Sequence, residues 1–220
     1  MDKKLFTHLL SKPSTVAAFL RCLSEIETAG ATWIVAAPAE FWTTDLHQHA
    51  LDELRHAKRL GDLVRKFRVD GPAKVQADLE DRWCRATASY LKQLLSSAYR
   101  RVPKDATPAE HMLYLYAGLA LAVERRLMKI YPTLAKQAHQ PEVRELATQL
   151  IAEEKTHLSL VTRTIKTNGF EKHAEVIVEI EERLAQKWFE ILTRSPETEA
   201  KNEIKFSTSF SGTRLPVLSF

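Results

Sequence analysis

The stretch His49-Ala50-Leu51-Asp52-Glu53-Leu54-Arg55-His56 and its later counterpart, Glu153-Glu154-Lys155-Thr156-His157, decide how this chain is read. Each sets a glutamate three residues ahead of a histidine. Residues three apart share one face of a helix, so each pair can offer an oxygen and an imidazole nitrogen to the same point in space. Around the first pair, Leu46, Ala50, Ala57, Leu60, Val64 and Phe67 recur at helical spacing, with Glu53 inside that apolar stripe and His56 at its edge. Around the second, Val143, Leu146, Leu150, Val161 and Ile165 enclose Glu154 and His157.

One helix earlier than each pair lies another inward glutamate. Val16, Phe19, Leu20, Leu23, Ile26, Gly30 and Ile34 form a stripe in which Glu27 falls within about 20° of the centre, whereas Glu25 projects to the opposite side. Leu113, Ala117, Ala120, Leu127 and Tyr131 enclose Glu124 in the same way. A chain with 8 His and 20 Glu meets an E-x-x-H by chance, so the weight rests on the shared inward direction and on the order Glu, E-x-x-H, Glu, E-x-x-H. A buried, unpaired carboxylate is too costly to keep. Four facing one core must be paired, protonated or bound to cations, and metal accounts for all four at once.

The rest of the chain frames these residues with helices. Gly is scarce, and Pro13, Pro38, Pro72, Pro103, Pro108, Pro132 and Pro141 fall between periodic stretches, as helix breakers do. The periodicity predicts helices over about 14–36, 40–68, 78–101, 109–131, 141–167 and 171–193, with Ser14, Thr107 and Asn168-Gly169 as cap or stop signals. No strand-like alternation precedes residue 204. The expected fold is therefore an all-α bundle over residues 1–195, followed by an extended or partly disordered tail over 196–220, where Ser, Thr and Gly take over.

Composition narrows the function. The chain has 220 residues, a formal charge of +4 and 45% hydrophobic residues, which is enough to bury a core without a structural metal, so a metal here would serve chemistry. Cys22 and Cys84 form no C-x-x-C pair, which excludes zinc ribbons, rubredoxin-type iron sites and a secreted disulfide framework. His8, Lys12 and Pro13 break the N-terminal apolar run, and charged residues interrupt every longer one, so neither a signal peptide nor a membrane span is expected. A cytoplasmic protein is the expectation.

The order Glu27, Glu53/His56, Glu124, Glu154/His157 resembles the ferritin-like di-iron carboxylate superfamily, where two helices each give a Glu and two others each give E-x-x-H. The resemblance covers residues 14–167 and rests on motif and topology. It implies a ferritin-like four-helix bundle with one extra helix in the crossover and one C-terminal helix. Glu27 and Glu124 would be the single-helix ligands, Glu53 and Glu154 the bridging ligands, and His56 and His157 the terminal nitrogen ligands. The implied cofactor is two Fe, with Fe/Mn or Mn/Mn as alternatives, because carboxylate oxygens with one imidazole per ion suit either metal. The implied activity is that of an oxidase or hydroxylase that activates O₂ with the help of an electron donor. A ferroxidase or peroxide-scavenging protein is the alternative within the family, and a non-catalytic interaction module the alternative outside it. Rubrerythrin proper is disfavoured by the missing cysteine pairs, and a cage ferritin by the long crossover and tail.

Further residues are candidates around this set. His49 precedes Glu53 by four, which resembles the extra-histidine pattern of di-iron N-oxygenases, although there the extra histidine lies on the fourth ligand helix; a satisfied core histidine is the competing reading. Asp52 is placed to orient His56, and Glu153 to orient His157, by accepting their second N–H. Trp33, Trp42, Tyr114, Tyr116 and Tyr131 are the aromatics expected near the centre, with Tyr131 and Tyr116 as redox or substrate contacts; ordinary core packing is the alternative. Gly30, Ala31, Ala50, Ala57, Ala117 and Ala120 either open a channel or let helices approach. Finally, residues 55–104 carry 13 Lys/Arg against 5 Asp/Glu, a basic stretch suited to an acidic carrier protein or tRNA, or else a solvated face. A homodimer is also among the expectations.

Overall fold

Six helices account for nearly all of the chain that the computed structural model describes, namely residues 6, 7, 9–37, 42–67 and 73–194. They are α1 (Pro13–Val35), α2 (Thr44–Phe67), α3 (Ala73–Tyr99), α4 (Pro108–Gln137), α5 (Pro141–Asn168) and α6 (Glu171–Thr193), and no strand occurs among the described residues. The expected tail over 196–220 lies outside the described residues.

Local chemistry sets the helix ends. Pro13, Pro108 and Pro141 open α1, α4 and α5, where a missing N–H costs nothing and the fixed φ suits a first turn. Thr107 caps α4 in a reciprocal box with Glu110. Ser14 does not cap α1: Pro13 takes the first helical position, Lys12 becomes the cap, and the Thr15 hydroxyl donates to the Lys12 carbonyl at 2.9 Å. Gly169 ends α5 at φ 71°, with its N–H on Lys166 O at 3.3 Å and the Phe170 N–H on Ile165 O at 3.0 Å, a Schellman closure. Pro132 is a further departure from expectation. It sits inside α4, which continues to Gln137, because Tyr131 and Leu134 on either side of it are buried in the core and hold the backbone helical across the lost hydrogen bond.

Cross-helix pairs fix the directions. Asp52 meets His157 while Glu153 meets His56, so α2 and α5 are antiparallel; Ser24 on the Ala57 carbonyl together with Gly30 against Glu53 shows the same for α1 and α2. Arg125 with Glu175 and Lys129 with Glu182 run in step, so α6 lies parallel to α4. The helices stack as three pairs. α2 and α5 form one outer layer, α1 and α4 the middle, and α3 and α6 the other outer layer. A middle helix must be apolar on more than one face, and α1 and α4 are, with Val16, Phe19, Leu20, Leu23 and Ile26 all fully buried on α1. Arg126 ties the middle to the α3/α6 layer by gripping Glu181 through two bonds of 2.8 Å, and within that layer the Tyr90 hydroxyl donates to the same carboxylate at 2.8 Å and Trp188 donates to Thr87 at 3.0 Å. Phe6 closes this side against Phe19 and Phe189.

Two sequence features look different in three dimensions. Cys22 on α1 and Cys84 on α3, solitary in sequence, lie close enough to influence each other's thiol, and burial with Cys84 nearby pushes the Cys22 thiol up. The basic stretch over 55–104 is divided between α2 and α3, which pack on different sides of α1, and Arg55, Lys58, Arg59, Arg65, Lys66 and Arg85 are each engaged by a neighbouring carboxylate. Among the described residues, no helix is long and apolar enough to cross a membrane.

The left-handed backbone at Gly169 gives a direct check. Gly169→Ala is expected to lower stability by about 1–2 kcal/mol, read as a shifted midpoint in chemical denaturation, because a Cβ resists that region.

Candidate metal centre

The middle layer and the α2/α5 layer meet over a polar cluster enclosed by apolar side chains. Glu27 (α1), Glu53, His56 and His49 (α2), Glu124 (α4), Glu154 and His157 (α5) are all at most 3% exposed. They form two overlapping groups, His49/Glu53/Glu124/His157 and Glu53/His56/Glu154/His157, in which one ligand atom from each residue lies within 4.8 Å of the others. Glu53 and His157 belong to both. Glu27 stands beside the second group, its Oε2 3.7 Å from His56 Nδ1.

Distances trace a line across the bundle. His56 Nδ1 lies 3.0 Å from Glu154 Oε1; His157 Nδ1 lies 3.0 Å from Glu154 Oε2 and 3.1 Å from Glu53 Oε1; His49 Nε2 lies 3.3 Å from Glu53 Oε1 and 3.0 Å from Glu124 Oε1. Protein donors nevertheless leave these groups unsatisfied. Glu27 Oε2, Glu53 Oε1, Glu124 Oε2, Glu154 Oε1 and His56 Nδ1 are buried with no aligned hydrogen bond. One oxygen from each of the four glutamates is thus left over, at one place, in an interior where such atoms are rarely orphaned. A cation is the partner that would satisfy them, and the donor set of hard oxygens with imidazole nitrogen fits it.

Charge follows the same logic. Burial and the neighbouring carboxylates Glu53 and Glu154 push the Glu27 carboxyl well above its ordinary value, and burial with Glu154 and Glu53 does the same at Glu124. Burial also pushes Glu53 up, but the close imidazoles of His157 and His49 outweigh it and hold the group low; at Glu154 the hydrogen bond from His157 and the nearby His56 ring win likewise. Burial disfavours the imidazolium at His56, yet Glu154 and Glu27 raise it to about 11, and Glu154 and Glu53 raise His157 to about 9. Without metal, then, the surroundings favour the charged forms of Glu53 and Glu154 beside the His56 and His157 imidazolium rings, and the protonated forms of Glu27 and Glu124. Four ionised carboxylates with neutral imidazoles would balance two divalent cations instead. The metal-free and metal-loaded states therefore differ by protons.

Second contacts depart from the expected pairing. Asp52 orients His157 at 3.4 Å and Glu153 orients His56 at 3.1 Å, each across the α2/α5 interface rather than along its own helix. A carboxylate one residue before the ligand glutamate points at the facing antiparallel helix, so the acid of one motif serves the histidine of the other. Arg59 holds Glu153 in turn at 3.0 Å. His49 lies within the first group, its Nδ1 3.3 Å from the Tyr116 hydroxyl. Tyr131 donates to Glu27 Oε1. Trp33 lines a small cavity beside His49 and Glu124, but Trp42 packs on His47 and Tyr114 on Phe170 and His173, so these two aromatics do not join the centre. Glu25 is spent on Arg21 at 3.3 Å on the outer side of α1. Among the small residues, Gly30 matters directly, since a Cβ there would come within 2.9 Å of Glu53 Oε2.

The two halves of the cluster are related position by position, and they are not equal. Four residues before the motif glutamate, α2 has His49 and α5 has Leu150; three residues after the single glutamate, α1 has Gly30 and α4 has Leu127; seven after it, α1 has Ile34 and α4 has Tyr131. The differences add a nitrogen beside Glu124 and remove bulk from the same end. Comparison with protein-family models, curated proteins and solved structures gives no match, so the centre is read from its own geometry.

Two outcomes follow. Loading the protein with divalent ions at neutral pH is expected to release protons, because imidazoles held up to about 9 and about 11 and the two raised carboxyls must give them up; weakly buffered calorimetry reads this, and affinity should fall on acidification. Gly30→Ala is expected to stabilise the metal-free helix by up to about 1 kcal/mol while weakening ion binding on the order of tenfold, by displacing the Glu53 carboxylate.

Proposed function

We propose that the chain is a ferritin-like di-metal protein, its ions iron, that uses O₂ to oxidise or hydroxylate an organic substrate. The observation that carries this reading is the set of four buried glutamates, each with one oxygen that lacks an aligned hydrogen bond, three of them within two overlapping histidine-bearing groups and Glu27 beside the second. The ligand order along the chain and the antiparallel α2/α5 register support it further.

Glu27, Glu154 and His56 would hold one ion, Glu124, His157 and His49 the other, with Glu53 between them. Two reduced iron ions supply the electrons and Lewis acidity that O₂ reduction needs. The chain supplies the rest. Asp52 and Glu153 fix the imidazole orientations, which presents Nδ1 of each ring to the carboxylates. Tyr131 holds Glu27 through a hydrogen bond, and its own hydroxyl is kept protonated by burial and by Glu27. The surrounding apolar side chains exclude bulk water, which keeps the electrostatic contacts strong. Hydroxylation of a C–H bond with O₂ takes up two electrons and two protons and releases one water, so an external electron donor belongs to the proposal; an oxidase reaction would draw both electrons from the substrate.

Metal analysis is the test. About two Fe or Mn per chain are expected, lost together in Glu53→Ala and Glu154→Ala. O₂ consumption should require an organic substrate; consumption driven by Fe²⁺ or peroxide alone would assign a ferroxidase or scavenger instead. A stable, metal-free chain after supply of both metals would sink the reading.

A further inference from the structure

The unequal halves of the cluster point outward to a second space. Beside His49, Glu53 and Glu124 lies a cavity of about 10 Å³, bordered by Gly30, Ile34 and Tyr116. That is room for about one water-sized molecule. A larger chamber of about 180 Å³ opens at the end of the bundle where α1 and α5 finish and α2 and α4 begin. Ile34 and Tyr116 line both spaces, so they form the partition between them.

The chamber walls specify what fits. Leu46, Met112, Leu113 and Leu160 supply apolar, half-buried surface, and none of the lining residues is charged. Polar groups gather on the side away from the cluster, at Thr43, Thr164 and Asn168, where the Thr164 hydroxyl is already given to the Leu160 carbonyl and the Asn168 amide to the Thr164 carbonyl. An apolar cavity of about 150 Å³ is enough to take a benzene ring. We propose that this chamber is the substrate pocket, that it takes a compact, uncharged organic molecule of about six to ten non-hydrogen atoms, and that Ile34 and Tyr116 separate it from the Glu124 and His49 end of the cluster. A charged group inside would find no counter-ion, and desolvation would reject it. Tyr116 is the positioning residue here, because its ring walls the chamber while its hydroxyl touches His49 Nδ1 at 3.3 Å.

The assignment of a substrate rests on the di-metal reading, but the pocket can be tested without it. Benzyl alcohol and benzoate serve as an uncharged and a charged probe of similar size, added to the full metal-free chain and followed by NMR shift changes. Saturable benzyl alcohol binding is expected, with perturbations at Leu46, Leu113, Leu160 and Tyr116, and benzoate at least about tenfold weaker. Leu113→Trp and Leu160→Trp each fill the chamber and should weaken the probe at least about tenfold while ion content stays at the wild-type level. Ile34→Ala should extend the perturbation to the His49 ring. Absence of saturable binding, equal binding of both probes, or binding indifferent to whichever Trp variants fold would overturn the proposal. Metal without probe binding removes only the pocket; probe binding without metal leaves the pocket and removes the redox assignment.

Discussion

Four carboxylates confined to one apolar interior are the constraint to which the other features of this protein answer. Left ionised and alone they would repel one another and the low-dielectric core alike. The fold meets this with histidines from α2 and α5 threaded between the glutamates, with the Glu27 and Glu124 carboxyls pushed by burial toward their protonated forms, and with a tyrosine on Glu27. These measures stop short of satisfaction, since each glutamate still keeps a spare oxygen. A site built only for stability would be filled with hydrocarbon, because replacing buried charge by well-packed apolar groups is often neutral or stabilising.

The six-helix, three-layer arrangement follows from that demand. To carry inward glutamates at fixed depth, α1 and α4 must not shift, and they are held from both sides: by α2 and α5 across the cluster, and by α3 and α6 behind it. The rear layer uses ordinary means. Aromatic packing around Phe19, Trp188 and Phe189 and the fully paired Arg126, Glu181 and Tyr90 group leave no polar atom of that carboxylate over. The contrast between a closed ion pair behind α4 and an open donor set in front of it distinguishes scaffold from site within one helix.

Near-symmetry supplies the framework, and its violations supply direction. The crossed pairs Asp52 with His157 and Glu153 with His56 treat the two motifs alike. His49, Gly30 and Ile34 do not have equivalents on the other half, where Leu150, Leu127 and Tyr131 stand. One end of the cluster therefore carries a phenol on Glu27, and the other borders a cavity of about 10 Å³.

Helical periodicity is a local property, so the sequence alone determined the helical class, the inward direction of Glu53, Glu124 and Glu154, and the end of α5 at Gly169, while the structure decided between Glu27 and Glu25 on α1 by burying the first and leaving the second on Arg21. What two distant helices present to each other depends on register and crossing, which no single helix encodes. Hence only the tertiary structure decided that Asp52 and Glu153 exchange partners, that His49 enters the cluster, that Trp42 and Tyr114 stay out of it, that Cys22 meets Cys84, and that the basic stretch is divided between two sides of α1. Pro132 shows the same limit from the other side: a residue that ends helices by its own chemistry is carried through one, because buried neighbours on α4 outweigh the hydrogen bond it removes.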